Sequence, residues 1–143
     1  MTASSVSSTE TTLVDTSVWS LAYRRDTSPD HAAVSALRDL LARGAVVTTG
    51  LVYLELLRGF TAVAARATVE ADFAALPFLT PSRRDYEEAA DHSLTCRRAG
   101  VQLSTVDAMI AAICISRDVA LLTTDQDFVH AAAHVPLRLW AAP

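Results

Sequence analysis

Short β-prone runs separated by helix-length segments constrain this chain more than any other feature of its sequence. TTLVD at 11–15, AVVTT at 45–49 and ALLT at 120–123 are the clearest, with shorter candidates at 78–81 and 137–140. Strands joined by crossovers of that length pair in parallel, because a tight turn can only reverse the chain. Thr16–Tyr23 reads as a short helix. Pro29 and Asp30 open a longer one, with Val34, Leu37, Leu40 and Leu41 on one face and Gly44 as its stop. Leu51–Phe60 is apolar nearly all round, and a further helix runs from Thr61 to Leu76 until Pro77. Arg83–Ala99 should lay Tyr86, Ala89, Ala90, Leu94 and Arg97 along one side. Ser104 caps a buried helix reaching Arg117, and Asp125–His130 makes a short helical turn. The pattern specifies an α/β fold, a parallel sheet with helices on both faces. Sites in such sheets form outside the carboxyl ends of the strands.

The chain of 143 residues suits one domain, and 51% hydrophobic content gives ample core material. The longest apolar stretch, Ala108–Ile115, falls well short of the ~20 residues a membrane span requires. Residues 1–10 are small and polar, with neither the basic start nor the apolar run of a signal peptide. They read as a loosely ordered tail before a single domain at 11–143. Cys96 and Cys114 form no CxxC pair, as expected of buried thiols in the cytoplasm. The net charge is −4 and every basic residue is arginine, so affinity for nucleic acid must come from a local site. Without lysine a P-loop is excluded, and phosphoaspartyl chemistry loses its usual partner. The four glycines, at 44, 50, 59 and 100, cannot make a GxGxxG loop.

Acids in apolar surroundings carry the functional signal. Asp15 follows Leu13 and Val14 at a strand end. Glu55 is the one charge in LVYLELL, and Asp107 the one charge in VDAMIAAICI. Asp125 closes ALLTTD, with Asp127 two residues on. Acids are rarely buried unless they are paired or bind metal. A parallel sheet brings Asp15 and Asp125 to one edge, and Glu55 and Asp107 to the first turns of helices entered from it. Two charges about 4 Å apart repel by about 4 kcal/mol at an effective dielectric of 20, so such a pocket takes up protons or a divalent cation. Oxygen ligands without cysteine or histidine favour Mg²⁺ or Mn²⁺, which suit phosphodiester cleavage.

VDTSVW at 14–19, LELLRG at 54–59, STVDAMIAA at 104–112 and LLTTDQDF at 121–128 resemble, in order, the four motifs of PIN domains, most closely those of VapC toxins. The resemblance spans about Thr11 to Trp140. It implies a three-layer α/β/α sandwich with a five-stranded parallel sheet, a homodimer, and Mg²⁺- or Mn²⁺-dependent cleavage of RNA (tRNA, rRNA or mRNA) by activated water. It also implies a cognate VapB-type antitoxin. By position, Asp15, Glu55, Asp107 and Asp125 match the family's catalytic metal-site acids. Asp127 matches a less regular acid, Thr123 a hydroxyl near the metal, and Thr16 and Arg58 stand as supporting candidates. A nuclease outside a toxin pair and a non-catalytic PIN-like regulatory module are the alternatives.

Each residue also has an ordinary use. Ser104-x-x-Asp107 is a capping-box pattern, and Asp15 and Asp125 suit helix N-caps. Asp127 in a first turn is favoured by the helix dipole. Arg58 is spaced for an ion pair with Glu55. The pairs at 24–25, 83–84 and 97–98 suit either RNA phosphates or solvated helix faces. His31, His92, His130 and His134 show no ligand spacing, and Trp19 and Phe128 read as packing anchors.

Overall fold

The computed structural model describes residues 10–142, so the expected tail lies, but for Glu10, outside the described residues. The chain runs β1 (Thr12–Val14), α1 (Thr16–Tyr23), α2 (Ala32–Ala42), β2 (Val46–Val47), α3 (Gly50–Arg58) and α4 (Val63–Ala74). It continues through α5 (Arg83–Arg98), α6 (Thr105–Ser116), β3 (Ala120–Leu122) and α7 (Gln126–Ala131). All pairing is parallel in the order β2-β1-β3, with Leu13 opposite Val47 and Leu121. Consecutive β1 residues point to opposite faces, yet Thr12, Leu13 and Val14 are all fully buried. Helices therefore cover both faces, as expected of a parallel sheet. Among the described residues, no helix is long and apolar enough to cross a membrane.

The expected five-stranded sheet is present as three regular strands with one parallel bridge at each edge, Thr48 with Phe78 and Leu121 with Leu139. Local chemistry accounts for the shortening. Pro77 and Pro81 flank one edge segment and Pro136 precedes the other, and proline cannot donate to a ladder.

The helices match their expected positions closely, with two corrections. The second helix begins at Ala32 rather than Pro29, because the His31 ring accepts the Ala33 N–H and caps it (3.2 Å). The buried side of α5 carries Asp85, Ala89 and Cys96, whereas Tyr86 and Leu94 are 59% and 40% exposed. A capping box explains the rotation. Ser82 Oγ accepts the Asp85 N–H (3.2 Å), and the Asp85 carboxylate accepts the Ser82 N–H (2.7 Å). That places Asp85 inward against α6, and Tyr86 outward.

Candidate metal centre

Parallel register builds the site. The Asp15 N–H bonds the Leu122 carbonyl at 2.9 Å, which continues the β1–β3 ladder one step and sets Asp15 beside Thr123. Asp15 is the N-cap residue of α1 by backbone position, but its side chain makes no cap bond. The carboxylate is buried, and its Oδ2 accepts from Ser17 Oγ and Thr123 Oγ1, each at 2.8 Å. Oδ1 has no hydrogen-bond partner among the described residues. Two hydroxyls thus aim the carboxylate and occupy one oxygen, leaving the other available.

Asp107 enters in the first turn of α6. Ser104 Oγ accepts its N–H (3.1 Å), but the reciprocal bond of a capping box is missing, so its carboxylate is not consumed by the cap. Burial pushes its carboxyl up to about 6, and the charges of Asp15, Asp125 and Glu55 add to the rise against an opposing contribution from Ser104. That electrostatic reach joins the acids of four separate elements. Asp107, Asp125 and Asp127 each offer a carboxylate oxygen within 4.8 Å of the others, a spacing that can hold a cation. Asp15 and Glu55 lie outside that tight group, and Glu55 stands in the second turn of α3 rather than the first, because the helix already begins at Gly50. Asp125 also caps α7, accepting the Asp127 N–H at 2.9 Å through Oδ1. One oxygen of Asp125 serves the helix, and the other is left for the cluster.

The supporting candidates separate. Thr123 bonds Asp15 directly and also accepts the Asp125 N–H at 3.0 Å, so one hydroxyl ties two of the acids together. Thr16 does not join them, and its hydroxyl is buried without a partner among the described residues. Ser17, one residue on, makes the contact and accepts the Thr124 N–H at 3.1 Å. Its signal in the sequence is only the hydroxyl two places after an acid, a spacing common in ordinary turns. Arg58 lies exposed in the last turn of α3 and forms no ion pair with Glu55. Neither histidine nor cysteine joins the cluster. The donor set is all oxygen, which fits Mg²⁺ or Mn²⁺ rather than zinc.

Residues 12–134 match the model of the PIN domain, and the chain belongs to that family. Similar solved structures share the fold across nearly the whole chain. FitAcB from Neisseria gonorrhoeae superposes with a TM-score of 0.73 at 19% identity, covering 91% of this chain and 96% of that one. VapBC2 from Rickettsia felis, bound to a DNA fragment from its promoter, gives 0.73 at 15%, covering 90% and 96%. VapC20 from Mycobacterium tuberculosis, a toxin that cleaves the sarcin–ricin loop, gives 0.65 at 21%, covering 90% and 99%.

Proposed function

We propose that this chain is a metal-dependent endoribonuclease that works as a homodimer and as the toxin of a toxin–antitoxin pair. The acid cluster carries the reading. Five carboxylates at one sheet edge form no ion pair with an arginine among the described residues, and Asp107 bears the electrostatic strain of the arrangement. Charge of that density is tolerable when a cation neutralises it.

Asp107, Asp125 and Asp127, with the free oxygen of Asp15 and with Glu55, would hold one or two Mg²⁺ or Mn²⁺ ions. Bound there, a divalent ion supplies charge neutralisation for the scissile phosphate and lowers the pKa of an attacking water. The protein's own work is alignment. Ser17 and Thr123 fix the Asp15 carboxylate, and Thr123 couples it to the loop that carries Asp125. Membership of the PIN family supports nuclease chemistry. The similarity to VapBC and FitAB structures supports RNA as substrate and a VapB-type antitoxin as partner.

Purified wild type should cleave RNA in Mg²⁺ or Mn²⁺ and stop in excess EDTA. Asp15→Asn should keep its fold by circular dichroism and lose at least about 100-fold in rate, the scale of one misplaced catalytic group. Undiminished cleavage in EDTA or by the variant overturns the metal mechanism. A wild type that cleaves no RNA while binding a regulatory partner would favour the non-catalytic alternative.

A further inference from the structure

The acid cluster repels the phosphates of any RNA brought to it, so cutting a strand there calls for positive charge beside the cluster. We infer that Arg97 and Arg98 form that rim and hold backbone phosphates of the RNA strand flanking the scissile position. The inference rests on the nuclease reading above and adds residues to it.

Placement comes from the antiparallel packing of α5 and α6. Asp85, in the first turn of α5, accepts from Ser116 Oγ (2.8 Å) and Arg117 Nη1 (3.1 Å), the last residue and the C-cap of α6. The opposite ends therefore meet as well, and the last turn of α5 stands beside the first turn of α6, where Asp107 lies. The Val101 N–H folds back onto the Cys96 carbonyl at 2.8 Å, which keeps the connection between the two helices tight. Counting about 1.5 Å per residue from the Asp85 end, Arg97 stands about 3–5 Å beyond the level of Asp107, on an axis about 8–10 Å away, and Arg98 follows about 200° round the helix from the buried Cys96, on its solvent side. An extended arginine can span that gap.

Ion pairs commit six of the twelve arginines and leave Arg25, Arg38, Arg43, Arg58, Arg97 and Arg98 without a carboxylate partner among the described residues. Arg83 and Arg84, at the far end of the same helix, are matched by Glu87 and Glu88 four residues on. Arg24, Arg66, Arg117 and Arg138 also have carboxylate partners. Arg97 and Arg98 are exposed and have no ion-pair partner among the described residues. The sequence denies them one, because no acid stands three or four residues to either side. Of the adjacent arginine pairs, this is the one with both charges uncommitted, and it is at the acid end of the molecule. Arg25 and Arg58 close the far ends of α1 and α3, helices that begin at that edge and run away from it, and Arg38 and Arg43 lie towards the end of α2, which leads into the start of β2 at the opposite edge. Favourable placement at a helix C-terminus accounts for a stabilising charge there, but makes no demand on RNA affinity.

Salt dependence separates the two roles. Binding of a fluorescein-labelled 20-nucleotide single-stranded RNA is followed by anisotropy, with Ca²⁺ replacing Mg²⁺ to suppress turnover, from 0.05 to 0.3 M salt. Each lost phosphate contact reduces the slope of log K against log salt by about 0.7 for a single strand, so R97Q/R98Q should reduce it by about 1.4. The same loss makes the variant about 25-fold weaker at 0.1 M salt if affinities converge near 1 M. R97K/R98K should keep the wild-type slope, and so should R83Q/R84Q. An R97Q/R98Q slope equal to wild type, with or without a lower melting temperature, overturns the inference, as does a wild type that does not bind the RNA at 0.05 M salt. Cleavage by wild type in Mg²⁺ is scored separately, so a working nuclease with an unchanged slope rejects the rim alone.

Discussion

A carboxylate is cheap in water and costly beside several others, and Asp107 carries that cost. Its carboxyl is pushed up to about 6 by burial and by the charges of Asp15, Asp125 and Glu55. A raised folded-state value means that the folded protein binds the proton more tightly than the unfolded chain. Without metal, stability is therefore full below about pH 4 for this group and is lost as pH rises to about 6 and beyond. The shift corresponds to about 3 kcal/mol, which solvent around a half-buried group reduces to about 1 kcal/mol. Metal-free Asp107→Asn should then melt roughly 3 °C above wild type at pH 7.5 and level with it near pH 3. Adding Mg²⁺ at pH 7.5 should reverse the order, because the cation stabilises wild type by mass action and finds fewer ligands in the variant. Equal melting of the metal-free proteins at both pH values would remove the proposed strain. These acids were legible in the sequence because a lone charge in an apolar run has few ordinary uses. The bracing by Ser17 was not, since a hydroxyl is at home almost anywhere and only the folded register shows which of Thr16 and Ser17 reaches Asp15.

Elements were read well where periodicity decides and less well where one polar contact does. Hydrophobic spacing and glycine stops located the helices, but the facing of α5 turned on Asp85, a buried acid that no apolar pattern marks. Its carboxylate takes Ser82 N–H, Ser116 Oγ and the Arg117 guanidinium, a clip joining the start of α5 to the end of α6. Burial alone would raise its pKa, yet Arg117 and the other donors together hold it well below the usual carboxylate range. A depressed value contributes stability above the unfolded pKa of about 4 that is lost only as pH falls through the folded value. The clip therefore holds in mild acid. Asp85→Asn leaves Arg117 without its counter-charge and should cost about 3 kcal/mol, or roughly 9 °C in melting temperature at neutral pH. Mg²⁺ affinity should change little, because the clip and the acid cluster are at opposite ends of α6. A variant that melts like wild type would show that packing between the helices, rather than the ion pair, sets their alignment. The edge strands were over-read for a related reason. Their β-prone residues are real, but prolines at 77, 81 and 136 withhold the donors that would lengthen the ladder.

At the scale of the whole molecule, alternation of strand and helix foretold the parallel sheet, and the sheet gathered acids from distant parts of the chain. What surrounds the molecule was not legible in the same way, because an exposed apolar side chain does not name its partner. Leu54 on α3 and Val63 at the start of α4 are 57% and 84% exposed, and α3 is the helix that carries Glu55. An antitoxin segment lying over those side chains would pass close to the acid cluster. A pocket rich in carboxylates attracts a cation, and a guanidinium offers a planar fork that bonds two carboxylate oxygens at once. An arginine of the antitoxin should therefore enter the cluster and compete with the metal, while apolar contacts along α3 and α4 hold the partner in place. Replacing that arginine should return RNase activity to the complex with little loss of binding, since the apolar contacts remain. Mg²⁺ should likewise weaken inhibition in the native complex and have no such effect once the arginine is gone. A complex that stays fully inhibited after every arginine in the bound segment is replaced would mean that the antitoxin acts by covering the path of the RNA, and that the acids play no part in its recognition.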